Sequence, residues 1–461
     1  MNKTSNNPIG NSTNRRDFIK TTGKIAAVGA LAGVEIPHVY AQESNTINLA
    51  LVGCGGRGGG ATMDAMNSKY GPVKLVAMAD VFQSRLKGKY ESLKKERPEQ
   101  VDVSEERRFL GFDAYKKAAD CLKPGDVMIC ATPPAFRWVH LKYAIEKGIN
   151  IFLEKPVAVD GPSARRVLQL AQEADKKGIR VAIGLMCRHC RSRQALFQKI
   201  REGVMGDVLM MRAYRQHGPS EHCFVGPKPD NMTEVLYQVK NFHSFLWSGG
   251  GLYSDFNIHQ VDEMCWMKNE WPVKAEGIGG RHYRGNAMDQ NFDNYAVEFT
   301  FADGSKGLHY SRIMTGCNEQ FNTLAHGSKG AAVICEREHT TARCRIHSGQ
   351  DFSNKKDIIW QFGQNEPNPY VMEWDDFLDA IRNNKPYNEA KRGAEASLVT
   401  VMGRYAAHTG QAITFDQMLN HEHEFAPDLE KLTMESPAPL QLGPDGKYPH
   451  PEPGKKKNRE Y

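Results

Sequence analysis

No run of about 20 consecutive apolar residues occurs in the 461-residue chain, which argues against a helix that spans or anchors in a bilayer. Net charge is scarce too. Sixty Lys and Arg against 54 Asp and Glu leave +6, and Met1 to Ala41 hold five cations and two anions, so the rest carries only about +3. That is too little to suggest a nucleic-acid partner. The one dense basic run, Lys455-Lys456-Lys457 with Arg459, sits in a Pro- and Gly-rich end and reads as solvated. Ten cysteines are scattered without regular spacing, which excludes a disulfide-stapled scaffold. No internal repeat is visible.

Cys187-Arg188-His189-Cys190 is a C-x-x-C, a spacing that can hold a metal or cycle between thiol and disulfide. A second matching pair is missing, and the nearest candidates, His222 and Cys223, do not repeat the spacing. The expectation is two packed thiols and no metal.

The chain begins with a recognisable order of features. Asn14-Arg15-Arg16-Asp17-Phe18-Ile19-Lys20 is followed by an apolar stretch from Ile25 to Val34 and a small-residue ending at Val39-Tyr40-Ala41. This resembles a cleavable twin-arginine (Tat) export signal over residues 1–41, implying contact with the Tat machinery and a periplasmic or otherwise exported mature protein.

After it, Ile47 to Val52 reads as a buried parallel strand running into Gly53-Cys54-Gly55-Gly56-Arg57-Gly58, with a helix expected from about Gly60 to Lys69. Further apolar runs at Val73 to Ala79, Val127 to Ala131, Ile151 to Leu153 and Val181 to Ile183 are separated by helical stretches. That alternation means an α/β fold with a doubly wound parallel sheet, a Rossmann domain over 45–185. Beyond it, a helix at Arg193 to Glu202 precedes alternating runs at Val208 to Tyr214, Tyr295 to Phe301 and Gly307 to Ile313. These imply a second, α+β domain over 186–425 built on an open, mostly antiparallel sheet. Tyr370 to Asn383 and Glu395 to Thr409 have helical periodicity, and 426–461 reads as a loosely ordered Pro- and Lys-rich tail.

A G-x-G-x-x-G pattern is weak alone, but here it closes a strand and opens a helix. Gly53 permits the tight turn, Gly55 lets backbone approach a pyrophosphate, and Gly58 lets the helix pack on the sheet with its amides facing the phosphates. Asp80 ends the second strand, where a carboxylate accepts hydrogen bonds from ribose hydroxyls and repels a 2′-phosphate; that favours NAD over NADP, although Arg57 or Arg85 can soften the preference. The dinucleotide-binding residues expected are therefore Gly53, Gly55, Gly56, Arg57, Gly58 and Asp80, with Thr132, Pro133, Glu154 and Lys155 at the ends of later strands.

Ala131-Thr132-Pro133-Pro134, then Glu154-Lys155-Pro156, then Asp255-Phe256-Asn257-Ile258-His259, together with the glycine fingerprint, resemble the Gfo/Idh/MocA oxidoreductases over almost the whole chain after the signal. The resemblance implies a Rossmann domain plus an open-faced sheet domain, dimers or tetramers through that sheet, and a catalytic constellation of Lys155, Asp255 and His259. Asn257 stands where family members commonly have glycine.

The residues support these roles on their own. Lys155 at a strand's carboxyl end can polarise a carbonyl. Asp255 and His259, four apart on a helix, share a face with Asp262, and a carboxylate one turn from an imidazole can orient it as a general base. Arg188, His217, Tyr253 and Asn294 are candidate substrate contacts; His140 and His243 stay unassigned.

The expected activity is hydride transfer between a nicotinamide cofactor and a secondary alcohol of a sugar, glycoside or polyol, with a sugar 3-dehydrogenase as the preferred substrate guess. Export adds a constraint: the cofactor travels already bound and must be recycled in the same site. The alternatives are an NAD-dependent glycosidase working by transient oxidation, and a non-catalytic sugar or dinucleotide sensor.

Overall fold

The strands with near-continuous apolar sequence line up as one parallel sheet in the computed structural model, which describes residues 45–461 apart from 221–222, 283–285 and 341. The export signal expected over 1–41 lies outside the described residues. The strands are β1 (Ile47–Val52), β2 (Val73–Asp80), β3 (Arg108–Leu110), β4 (Val127–Cys130), β5 (Asn150–Leu153) and β6 (Val181–Ile183), in the order β3-β2-β1-β4-β5-β6. Order reverses beside β1, so the carboxyl ends of β1 and β4 flank the crevice where an open α/β sheet binds its ligand.

Helix α1 (Gly56–Met66) begins four residues earlier than expected. The glycines that read as a loop are its first turn, and they lie so close to the sheet that a Cβ on Gly58 would sit 2.0 Å from the Gly53 carbonyl oxygen. Helix α2 (Gly161–Lys177) is capped by Asp160, whose carboxylate accepts from the Ser163 amide at 2.8 Å.

Helix α3 (Arg191–Arg201) leads into the second sheet, which comprises β7 (Val208–His217), β8 (Lys274–Gly280), β9 (Asn294–Thr300), β10 (Lys306–Ile313), β11 (Gln320–Gly327), β12 (Ala331–Glu336), β13 (Arg345–His347), β14 (Ile358–Gln361) and β15 (Ile413–Thr414). Their order is β14-β13-β12-β11-β7-β10-β9-β8-β15, antiparallel except where β10 runs parallel to β7. Alternate residues of β9 and β10 are buried, as expected of a sheet with one covered face. The other face is open and carries Ile278, 74% exposed.

Two helices cover the buried face. Helix α4 (Gly251–Lys268) is buried along nearly its whole length, including Asp255, Asn257, His259, Gln260, Asp262 and Glu263. So many polar groups out of water demand partners, and a helix of this kind is there to place them. Helix α5 (Pro369–Arg382) returns to the Rossmann layer, where Trp374 stacks on Phe152 with ring centroids 4.5 Å apart. Helix α6 (Ala390–Thr409) packs on β8, α2 and α4 together and so locks the two sheets to one another.

Beyond residue 425 the chain does not hang loose as its composition suggests. Leu440 and Tyr448 are buried, and Glu460 accepts from Arg404 Nε and NH2, both at 2.8 Å, and from His408 Nδ1 at 2.7 Å. A few anchoring side chains hold a proline-rich segment that is irregular apart from a short helical turn at Leu429–Lys431. The lysine run itself is largely solvated.

Candidate active site

The turn after β1 is built by its glycines. Gly53 has φ +94°, and a Cβ there would come within 2.7 Å of the Ala131 backbone; Gly55 and Gly56 have nothing within 4 Å of a Cβ position and open onto a cleft. Asp80 closes the turn, its carboxylate accepting from the Cys54 amide at 2.7 Å and the Phe82 amide at 2.8 Å. Burial raises the Asp80 pKa, with the two amides opposing it. These features suit a pyrophosphate at the open glycines and a ribose at Asp80.

A single cleft of about 560 Å³ contains all ten residues expected at the dinucleotide: Gly53, Gly55, Gly56, Arg57, Gly58, Asp80, Thr132, Pro133, Glu154 and Lys155. Arg57 is clamped, with Nε 2.7 Å from Glu154, NH2 2.7 Å from Asp64, and its guanidinium 4.7 Å from the Tyr370 ring. Buried Arg137 ties the strand ends together by donating to the carbonyls of Cys130 (2.8 Å), Glu154 (2.5 Å) and Thr132. His140 approaches Thr132 Oγ1 at 3.2 Å; burial lowers its pKa to about 3, so it is neutral.

The same cleft continues to Lys155, Asp255 and His259. Lys155 Nζ donates to the Asp255 carbonyl at 2.7 Å and stands 3.8 Å from its carboxylate. His243 Nε2 is 3.1 Å from the other carboxylate oxygen. Burial works to raise the Asp255 pKa, but Lys155, His243 and Arg137 outweigh it and hold the group well below the usual carboxylate range.

Sequence spacing pairs Asp255 with His259, whereas the carboxylate here engages Lys155 and His243. A shared helix face makes contact possible, but the nearer cation and imidazole from other elements win it.

His259 instead points Nδ1 at Cys187 Sγ, 3.8 Å away, and its ring lies 4.5 Å from that of His339. Burial lowers the His259 pKa well below its ordinary value, helped by Lys155, Arg215 and Arg193. His339 Nδ1 is 3.6 Å from the same sulfur, and its Nε2 is 2.9 Å from Arg215 NH1. Guanidinium only donates, so His339 Nε2 accepts and its Nδ1 carries the proton toward Cys187.

The C-x-x-C is thus split between two environments. Cys190 Sγ accepts from Arg193 NH1 at 3.0 Å, and both cysteines are free thiols. Cys187, Glu263 and His339 bring their donor atoms within 4.8 Å of one another, yet Arg193 holds Glu263 at 2.7 Å and Arg215 holds His339. A metal cation there would face two guanidinium groups.

None of the four candidate substrate contacts lines the cleft. Arg188 makes a bidentate pair with Asp262 at 2.7 and 2.6 Å, which also removes Asp262 from the Asp255 side. Tyr253 is fully buried against Tyr295 and His309. Asn294 faces the end of β8 through the Gly280 carbonyl at 3.4 Å. His217 turns Nδ1 to the Gly218 carbonyl at 2.6 Å and stands beside Phe256.

In their place the structure supplies Arg215, His243, Phe256, His339 and Tyr370. Arg215 lies two residues before His217, on the same face of β7, so only the depth along the strand was misjudged. His339 lies in the connection after β12, and nothing local in the sequence marks it. Asn257 is accommodated by donating to Ser311 Oγ at 3.1 Å.

Comparison with known proteins agrees with this architecture. Residues 47–184 match the model of the Gfo/Idh/MocA oxidoreductase family, NAD-binding Rossmann fold. An inositol 2-dehydrogenase of Corynebacterium glutamicum strain R is 27% identical over 168 residues, 36% of this chain and 42% of that protein. The chain spans about half the length of the curated relatives it matches. Among solved structures, scyllo-inositol dehydrogenase from Lactobacillus casei with bound NAD(H) and scyllo-inositol superposes with a TM-score of 0.57 at 20% identity, covering 80% of this chain and 99% of that one. Aldose-aldose oxidoreductase from Caulobacter crescentus gives 0.61 at 14% identity, covering 80% and 99%. The sequence of residues 47–184 is thus similar to the NAD-binding domain of that oxidoreductase family, and the fold over both domains is similar to those of the two solved structures.

Proposed function

We propose that this protein is an NAD-dependent oxidoreductase of a secondary alcohol in a sugar, glycoside or polyol, and that the dinucleotide stays bound through turnover. The observation that carries the reading is the continuity of one cleft from the open glycine turn and Asp80 to Lys155, Asp255 and His259.

When bound, the dinucleotide supplies a hydride acceptor at its nicotinamide. The remaining work belongs to the chain. The Lys155 ammonium, fixed by the Asp255 carbonyl, stabilises negative charge on the substrate oxygen. His259, kept neutral by burial and three nearby cations, takes the hydroxyl proton. For Nε2 to be the accepting atom, Nδ1 must hold the ring proton, and Cys187 Sγ is the acceptor at 3.8 Å. Asp255 holds Lys155 and His243 in place and so orients the acid side of the site.

Asp80 favours NAD over NADP, and Arg57 is committed to Glu154 and Asp64, which leaves it unavailable to a 2′-phosphate. The named relatives, inositol dehydrogenases and an aldose-aldose oxidoreductase, fit the same substrate range. Within it, the reaction we favour is oxidation of a glycoside to its 3-keto form, with the bound reduced dinucleotide reoxidised in the same site by passing its hydride to the carbonyl of a second sugar. Export by the twin-arginine route and a homo-oligomer through the open sheet face complete the proposal.

The test is to purify the mature protein without added cofactor, denature it and assay the supernatant. Near-stoichiometric NAD supports a retained, recycled cofactor; an empty protein that works only with free NAD overturns retention while leaving the oxidoreductase reading intact.

A further inference from the structure

We propose that the substrate bears one negative charge, a carboxylate on the sugar or polyol, and that Arg215 recognises it; this deepens the oxidoreductase reading and rests on it.

The argument is one of unbalanced charge. Most other deeply placed arginines of the described residues face a carboxylate. Arg57 pairs with Glu154 and Asp64, Arg188 with Asp262, Arg193 with Glu263 and Arg404 with Glu460; Arg137, without a carboxylate at ion-pair distance among the described residues, has NH1 and NH2 on three carbonyls. Arg215 lines the cleft from β7 and has no carboxylate within ion-pair distance among the described residues. Its NH1 reaches only the ring nitrogen of neutral His339, and its Nε is buried without a partner.

Two aromatic faces flank the guanidinium, Phe321 at 4.9 Å and Phe256 at 5.4 Å, holding its plane without cancelling its charge. A guanidinium half withdrawn from water between aromatic rings is costly unless an anion joins it. Burial accordingly depresses its pKa, as it does that of Arg137, whereas the carboxylates beside Arg57 and Arg404 raise theirs.

Location makes the anion a substrate group. Arg215 is separated from His259 by the single ring of His339, so a ligand charge here lies within one sugar of the reacting hydroxyl. It is also on the second sheet, across the cleft from the glycine turn that suits the dinucleotide phosphates. Lys155 already has Asp255 as its counter-ion, so the substrate end lacks one negative charge, which matches a carboxylate better than a dianionic phosphate.

The experiment compares charged and neutral partners of otherwise equal shape on the NAD-loaded protein. Methyl glucuronide and methyl galacturonide are set against the corresponding methyl glucoside, methyl galactoside and uronamides, with binding read by equilibrium dialysis and single-turnover reduction of the bound nicotinamide by absorbance. The expected result is tighter binding and faster single-turnover reduction at low substrate for an acidic member, by roughly ten- to a hundredfold, the size of a charged hydrogen bond. In Arg215→Gln that ratio collapses toward one, and Arg215→Lys restores part of it. If no acidic member binds better than its neutral partner, the proposal is overturned, even where the neutral sugars are oxidised. A preference for a phosphorylated sugar over both also overturns it. Failure to load NAD at all instead removes the oxidoreductase reading beneath it.

Discussion

Replacing Glu460 by alanine should cost the protein about 3 kcal/mol, although the residue is second from the end of a segment whose composition looks disordered. Its carboxylate is buried and accepts three charged or polar hydrogen bonds, two from Arg404 at 2.8 Å and one from His408 at 2.7 Å. Removing it leaves the fully buried guanidinium of Arg404 without a counter-ion, a loss worth about 3–5 kcal/mol in general. Arg404 keeps the carbonyls of Gly250 and Val159, each at 2.8 Å, and Ser254 Oγ at 3.0 Å, which places the cost at the lower end.

The depressed Glu460 carboxyl leads to a similar figure. Burial works against ionisation of Glu460, but Arg404 and His408 outweigh it and lower its pKa from 4.5 to about 2, which corresponds to roughly 3 kcal/mol. Because the folded value is depressed, this stability is present above pH 4.5 and lost as pH falls toward 2. Urea unfolding near neutral pH, monitored in Glu460→Ala, Glu460→Gln and the half-exposed control Glu452→Ala, checks the magnitude. The glutamine variant should fall between alanine and the parent, and the Glu452 variant should unfold at the parent's midpoint. A Glu460→Ala midpoint equal to the parent's refutes the reasoning. Since Arg404 also touches Gly250 and Ser254 at the start of α4, the variant should lower activity as well as stability.

Two further outcomes follow from the site. Asp80→Ser should weaken NAD affinity and narrow its advantage over NADP by about tenfold or more, read by fluorescence titration with the reduced dinucleotides; unchanged discrimination would show that Asp80 only shapes its turn. Stability should also fall on acidification from about pH 7 to about pH 5. Burial lowers the pKa values of His140 and His309 to about 3 and those of His259 and His339 well below the ordinary value. The unfolded chain therefore takes up these protons first, at about 1.4 kcal/mol per histidine for each pH unit below roughly 6.5. His189, whose pKa Asp376 and Glu389 raise against its burial, works in the opposite sense and offsets part of the loss. Urea midpoints that do not move between those pH values contradict the neutral, buried state of the four rings.

The dinucleotide half was legible because its signals are local. A strand, its glycine turn and the strand-end residues Asp80 and Lys155 lie in short windows, and each backbone constraint names its residue. The second half was legible only as alternation, which reveals a covered sheet face but not which loop crosses it. His339 and His243 reach the cleft from connections far apart in sequence, and Arg188, expected at the substrate, pairs instead with Asp262. Asp255 exposes the same limit: helical spacing offers His259 as a neighbour, while long-range packing supplies Lys155 and His243.

The most direct test of the central claim is a single-turnover measurement on the NAD-loaded protein mixed with a panel of sugars, glycosides, sugar acids and inositols, following the bound nicotinamide. Reduction by at least one member, lost about a thousandfold in Lys155→Ala and His259→Asn with NAD still bound, is the result expected. Reduction that survives both substitutions, or a loaded protein that no member reduces, contradicts the account.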